Sequence, residues 1–433
     1  HKLWQLMTSC YERRRQYYEK ISWWQYTEAD RQCTGHEVAR CPYQEYFVGG
    51  LTHTLVAAQP TLMSTKTGGD ILLQLIFLMT DPETQADRVL NAPTNDAWLN
   101  PWYKYLTEKG VQYHHGHTVR EIKADVNSHS IKSVLVESEN GQEREIVADA
   151  YISCLPVERM APLVNESLVK IDKTLENLIP LSKSVNWMNG IQFYLDRDVK
   201  LTNGHVIFLD SPWAVTAISQ LQFWEGFDIE EYGNGRVKGI LSVDVSDWNT
   251  PGLNGKRARD CLREEIIDEV WNQMCQSLNI DGNVVLDKSM IVSHTYLDDD
   301  IVPERHGGKV KEHNEEKLLV NSANTWSLRP EAYCNVKNLY LASDYVRTNT
   351  DLATMEGANE AARRAVNCIL SDFKSDAAKC KIWKMHEPNI LAPLRWLDKK
   401  RYNKGEQWRD EVPILWKILH LITYWVHRLF KLK

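Results

Sequence analysis

The chain has 433 residues, of which 43% are hydrophobic and 25% charged; this ordinary globular composition excludes disordered, collagenous and low-complexity architectures. A formal charge of −7 argues against a nucleic-acid binder. Nine cysteines without a Cys-x-x-Cys pair suggest no disulfide framework and a reducing, cytoplasmic setting, while sixteen Trp and eighteen Tyr suit either an aromatic-rich core or contact with a bulky apolar ligand or lipid.

His1-Lys2-Leu3-Trp4 opens directly into helix-spaced apolar positions (Leu3, Leu6, Met7, Tyr11) without a signal-peptide pattern, so the sequence reads as if it begins mid-protein. Arg13-Arg14-Arg15 reads as a solvated helix face. Residues 44–80 look helical, with Gly68-Gly69-Asp70 as punctuation before the apolar run Ile71–Met79, which is too short to span a bilayer and reads as a buried helix. Trp98–Lys109 forms a short amphipathic helix closed by Gly110. The period then changes to two, giving strands at Thr118–Ile122, Ser130–Glu139 and Arg144–Val147, with Asn140-Gly141 as a hairpin turn. Ala150–Cys154 reads as a short buried strand followed by a helix opening near Pro156.

Residues 185–248 are strand-rich, 256–278 form a helix with Ile266, Ile267, Val270, Trp271, Met274 and Leu278 on its apolar side, and strands return near 284–296. Asn338–Ser343 is another short buried strand, and a helix runs from about Met355 to Leu370. From Asp376 onward the balance of charge is +7, against −14 for the remainder. Residues 413–430 are strongly apolar with Lys417 and Arg428 embedded, which fits a helix lying in a membrane interface, with upstream Lys399, Lys400, Arg401, Lys404 and Arg409 facing anionic lipid. Peripheral membrane contact is therefore expected, the alternative being a helix docked on the protein's own core or on a second subunit.

The segment 338–370 carries the chemistry. A buried strand ends in Ser343-Asp344, and a loop leads to a helix whose first turn is Met355-Glu356-Gly357-Ala358. A small first turn admits a flat cofactor, and the free N–H groups of a helix N-terminus suit phosphate or a reduced flavin's negative charge. Asp344 would accept hydrogen bonds from sugar or ribityl hydroxyls.

This segment resembles the C-terminal FAD motif of the flavin amine oxidase superfamily, Leu-x-Leu-Ala-Gly-Asp followed about ten residues on by Met-Glu-Gly-Ala. Ala92–Trp102, Thr118–Ile122 and Ala148–Pro156 resemble the middle region of its branch of carotenoid and phytoene desaturases and hydroxysqualene dehydroxylases. The resemblance implies an α/β fold: a two-lobe FAD-dependent oxidoreductase with a Rossmann-like FAD-binding lobe and a mixed sheet and helix substrate lobe. The lobes would comprise 91–164 with 321–372 for the cofactor, and 1–90 with 165–320 for the substrate, followed by a basic tail at 373–433. It implies FAD contacts at Val119, Ser343, Asp344, Met355, Glu356, Gly357 and Ala358, with Arg347 near the flavin edge, and names no catalytic base. The implied reaction is hydride transfer from a long apolar isoprenoid or polyene lipid to flavin. An amine oxidase, with Trp326 and Tyr345 as an aromatic pair, and a non-catalytic lipid-associated subunit are the alternatives.

The sequence departs from the family at two points. Ser343 stands where the motif has Gly, and no strand followed by Gly-x-Gly-x-x-Gly is present. Gly233-Asn234-Gly235 has the wrong spacing and precedes a strand. The βαβ unit that holds the AMP half of FAD is thus missing from this sequence, and a partner chain supplying it is one expectation. His114, His115 and His117 lie where neighbouring residues point to opposite faces, which does not make a metal site.

Overall fold

The computed structural model describes residues 1–32, 41–50, 52–53, 57–80, 88–232, 234–296, 301–306 and 309–410. The apolar stretch 413–430 lies outside the described residues, among which no helix is long and apolar enough to cross a membrane. Cys41 is disulfide-bonded, a correction to the expectation from cysteine spacing, whereas seven other described cysteines are free.

The first unit is helical: α1 (Lys2–Thr8), α2 (Tyr11–Gln16) and α3 (Thr65–Thr80). Leu6, Tyr18, Trp23, Tyr26, Met63, Leu73 and Phe77 close a small core between them. Gly68 and Gly69 do not interrupt the chain, as their sequence context suggested; they lie inside α3. A Cβ at Gly68 would come within 2.5 Å of Met63 Cε, and one at Gly69 within 2.8 Å of Leu6 Cδ2. The pair is there because neighbouring side chains pack onto the helix backbone.

Next, α4 (Asn100–Glu108) leads into β1 (His117–Asp125), β2 (Ser130–Ser138) and β3 (Glu143–Ile146), an antiparallel sheet in that order. The Asn140-Gly141 turn forms as expected, with Gly141 at φ +77°. Then β4 (Tyr151–Ser153) ends in Pro156, which opens the helical turn Val157–Met160.

The middle of the chain supplies β5 (Val185–Asn186), β6 (Asn189–Leu195), β7 (His205–Ile207), β8 (Val215–Ser219), β9 (Gly239–Val245), α5 (Arg263–Leu278) and β10 (Ile291–Tyr296). Strands β6 to β10 form one antiparallel sheet in the order β10-β6-β9-β8-β7. Alternation sends Ile191, Phe193, Val215, Leu241, Val243 and Val245 to one face, where they meet Ile266, Val270, Trp271 and Met274 of α5 in the largest core. The Phe193 and Trp271 rings lie 4.9 Å apart.

After the hairpin of β11 (Ile301–His306) and β12 (Lys309–Asn314), β13 (Leu318–Leu319) pairs with β5. Then β14 (Leu339–Leu341) runs parallel to β4, Leu339 opposite Tyr151 and Leu341 opposite Ser153. It is followed by α6 (Met355–Asp372) and α7 (Ala392–Asn403). Strand β14 and α6 build a third core with Val157, Met160, Leu168, Leu175 and Leu178. Leu168, Ile171, Leu175, Leu178 and Leu181 therefore pack with the β4–β14 lobe.

The arginine run is not solvated. Arg13 and Arg14 are only 5% and 4% exposed. Arg13 Nε donates to Asp398 Oδ1 and Oδ2 at 3.1 and 3.0 Å, and Arg14 pairs with Asp70 and Glu387. Asp398 belongs to α7, so the segment after α6 folds back over α1 and α2, a contact across about 385 positions of sequence that no local pattern reports.

Truncating Phe193 to Ala should cost about 3–5 kcal/mol through the lost apolar contact and the cavity left against Trp271. Urea unfolding followed by tryptophan fluorescence checks this; a loss below about 1 kcal/mol would show that the sheet does not depend on this core.

Candidate functional site

Strands β4 and β14 are adjacent and parallel, so their carboxyl ends open side by side, the place where open α/β sheets bind ligands. Strand β14 delivers Ser343 and Asp344 to this end, and β4 delivers Cys154, Pro156 and Glu158. Asp344 is half-buried; its Oδ1 accepts a hydrogen bond from Ser343 Oγ at 3.2 Å, and its main-chain carbonyl accepts one from Arg329 Nη1 at 3.2 Å. The hydroxymethyl that replaces the motif's glycine thus turns onto the acid.

Burial raises the Asp344 pKa above the usual carboxylate range, with Arg329 opposing. Glu158 is raised as well, first by burial and then by the charge of Asp344. Both carboxyl oxygens of Glu158 are inaccessible and have no hydrogen-bond partner among the described residues. Two acceptor-rich groups, one of them wholly unpartnered, suit a ligand that brings hydroxyl donors. The polyol side of a flavin cofactor meets that requirement.

The two strands differ at their outer edges. Leu341 N donates to the Ala332 carbonyl at 3.0 Å and Tyr333 bridges Tyr340, so β14 is covered. Strand β4 has no second strand beside it among the described residues. Tyr151 N donates to Asn338 and the Ser153 carbonyl accepts from Ala342, which leaves the N–H and C=O of Ile152 pointing outward. The Ile152 side chain is 46% exposed.

Helix α6 begins in the open. Thr354 caps it: Oγ1 accepts from Gly357 N at 3.2 Å, and its carbonyl accepts from Ala358 N at 3.0 Å. The amides of Met355 and Glu356 make no hydrogen bond among the described residues, and both side chains are exposed. Leu352, Ala353 and Thr354 line a cavity of about 560 Å³, so no described residue plugs the loop that leads into the helix tip. A Cβ at Gly357 would lie 2.5 Å from the Leu352 carbonyl, so the returning loop itself requires the glycine. Ala358 is exposed and does not line the cavity.

Buried charge fixes the loop that presents this tip. Asp351 accepts from Lys66 Nζ and from Thr67 Oγ1 (2.7 Å), lies 3.1 Å from Arg329 Nη1, and receives Asn321 Nδ2 on its carbonyl at 3.0 Å. Arg329 Nη2 donates to Asn321 Oδ1. Lys66 also reaches Asp70 at 3.2 Å and lies 3.8 Å over the Trp326 ring. Lys66, Arg329 and Asp351 are almost completely buried. One network therefore ties α3 to the loop before α6 and to the backbone of Asp344.

The cavity lies between the lobes. Leu62, Met63 and Ile71 of the helical unit form an apolar wall, and Trp187, Thr216, Asp244 and His205 form the floor. Other expected residues fall elsewhere. Val119 is half-buried on the separate antiparallel sheet of β1 to β3, paired with Val136 beside a bulge. Arg347 donates to the Ser327 carbonyl and pairs with Glu331. Trp326 and Tyr345 are buried and neither lines the cavity, so they are not an aromatic pair facing it. Sequence reasoning missed Glu158 and the Lys66–Asp351–Arg329 network, whose members meet only through the fold. It also passed over Asp244, although the alternation Leu241-Ser242-Val243-Asp244-Val245 marks one polar face.

The family described as flavin containing amine oxidoreductase matches residues 99–370. Hydroxysqualene dehydroxylase of Sinorhizobium fredii is similar at 29% identity over 132 residues, covering 30% of this chain and 24% of that protein. The match thus spans about a quarter of the curated relative's length. An oxidoreductase from Methanosarcina mazei is similar in fold, with TM-score 0.50 and 12% identity, covering 81% of this chain and 68% of that one. Cyclohexylamine oxidase from Brevibacterium oxydans superposes with TM-score 0.49 at 10% identity, covering 86% of this chain and 73% of that one.

Removing Asp351's charge with Asp351→Asn leaves Lys66 and Arg329 under-compensated and should cost about 3–5 kcal/mol in urea unfolding; an unchanged midpoint would show that the network does not hold the loop. Glu158→Gln should act in the opposite direction without ligand. Because the folded-state pKa is raised, native Glu158 loses stability as pH rises from the unfolded carboxylate value through the folded one. The substitution should therefore stabilise by about 1 kcal/mol at pH 7 and by little near pH 4; equal effects at both would refute the buried-charge account.

Proposed function

Because the chain belongs to the flavin containing amine oxidoreductase family, we propose that it is the flavin- and substrate-facing part of a FAD-dependent oxidoreductase of desaturase or dehydrogenase type, acting on a long apolar lipid of isoprenoid or polyene character. The observation that carries this reading is that the loop capping α6 and the apolar wall of the helical unit line one cavity. The similarity to hydroxysqualene dehydroxylase supports a substrate of this class.

The chemistry FAD supplies when bound is acceptance of hydride from a carbon centre. The chain's own residues bind and orient. The free amides of Met355 and Glu356 offer a positive end to negative charge. Asp344 and Glu158 accept hydrogen bonds from polyol hydroxyls, with Ser343 holding the Asp344 carboxyl in place. Leu62, Met63 and Ile71 exclude water from the reacting carbon. Val119, on the neighbouring sheet, is the candidate backbone contact for the far end of the cofactor.

The phosphate-binding half is supplied, in this reading, by a further parallel strand on the open edge of β4, carried by another segment or by a partner chain. An unpaired strand edge is a template for such pairing. The buried Trp326 and Tyr345 give no support to the amine oxidase alternative.

The test is a visible spectrum of the chain purified with whatever it carries. A flavin band near ~450 nm is expected. Asp344→Ala should weaken FAD binding roughly tenfold, the loss of one hydrogen bond to a charged group. A complete assembly, with the dinucleotide-binding strand present, that shows no flavin band would overturn the proposal.

A further inference from the structure

The floor of the cavity has polar groups that the flavin-facing residues leave unused. On β9, Leu241, Val243 and Val245 enter the α5 core, and Asp244 projects from the opposite face. Asp244 stands directly beside Thr216 of β8 on one side and Gly190 of β6 on the other. Thr216 in turn faces Ile207 of β7, and His205 lies two residues earlier on the same face. Asp244, Thr216 and His205 all line the cavity.

None of the hydrogen bonds or ion pairs among the described residues engages the side chains of Asp244 or His205. The other acid at this end is committed: Asp247 accepts from Asn249 N at 2.7 Å, from Thr250 N at 3.0 Å and from Thr250 Oγ1 at 2.7 Å. His53 lines the cavity as well, and burial lowers its pKa, which favours the neutral ring. Burial likewise raises the Asp244 pKa, with His205 opposing. The floor therefore offers a mixture of donors and acceptors and not a cage of carboxylates. Trp187, which lines the cavity, already packs on Trp248 at 5.1 Å and on Arg259 at 5.7 Å, so the described residues form no aromatic cage for an ammonium group.

We propose that Asp244, with Thr216 and His205, is a polar anchor that receives the hydroxyl group of an otherwise apolar substrate, whose chain lies over Leu62, Met63 and Ile71 toward Thr354. The substrate is then an apolar alcohol, neither a bare hydrocarbon nor an amine. This rests on the reading of the cavity as the substrate site. Asp244 and His205 are exposed to the cavity, and a ligand hydroxyl both donates to a carboxylate and accepts from a neighbouring hydroxyl or imidazole.

The experiment uses the full chain with any copurifying partner and compares decanol, decane and decylammonium by competition against a fluorescent apolar probe. Decanol should bind at least about tenfold more tightly than decane, the worth of one hydrogen bond to a charged group. Asp244→Leu should abolish that preference while leaving decane binding intact, which also shows that the variant is folded; Asp244→Asn should keep most of it. Equal affinity of decanol and decane for the native chain, or a preference that survives Asp244→Leu, would overturn the proposal. Decylammonium binding more tightly than decanol, and losing its advantage in Asp244→Asn, would overturn it in favour of a cation site. The flavin band is recorded on the same samples. A band without alcohol preference removes the anchor alone, and alcohol preference without a band removes the redox reading alone.

Discussion

The contact between Lys66, Asp351 and Arg329 is the constraint on which the site depends. Lys66 comes from the helical unit, and Asp351 and Arg329 come from the lobe that carries the parallel strands. Two buried cations lie around one buried carboxylate: Thr67 adds a hydrogen bond to Asp351, Asp70 shares Lys66, and Asn321 joins the Asp351 main-chain carbonyl to Arg329, while Asp351 Oδ1 has only its ion pair with Arg329. Because Arg329 also holds the backbone carbonyl of Asp344, the acid at the strand end and the loop before α6 cannot move independently. The network thus sets the distance between the open helix tip and the apolar wall of the helical unit.

The second sheet shows how one alternating pattern serves two purposes. Its Leu, Val and Phe face packs on α5 and gives the substrate lobe its rigidity. The other face is freed from packing and can carry groups that would be intolerable in the core. Rigid support behind and polar groups in front is the arrangement expected where a ligand must be held in one orientation.

Much of this was legible in the sequence. The β14–loop–α6 segment, the hairpin at Asn140-Gly141 and the strands of the second sheet follow from period, turn chemistry and short buried runs. What escaped was set by contacts between distant positions. Arg13 and Arg14 looked like a solvent face because Asp398 and Glu387 lie more than 370 positions away. Gly68-Gly69 looked like a break because the residues packed against them, Met63 and Leu6, cannot be seen from α3 itself. Glu158 carries no local mark at all; it becomes notable only when β4 and β14 align in parallel and bring it near Asp344.

The outward-facing amide and carbonyl of Ile152 also bear on the geometry of the proposed further parallel strand, whose handedness follows from its crossover. A strand lying parallel to β4 must enter from the same end, and its return to a further parallel strand crosses over in the right-handed sense almost without exception. The crossover helix can then blanket only one side of the ribbon. Chirality alone therefore decides which surface near β4 is roofed and which stays bare, whatever the sequence of the newcomer.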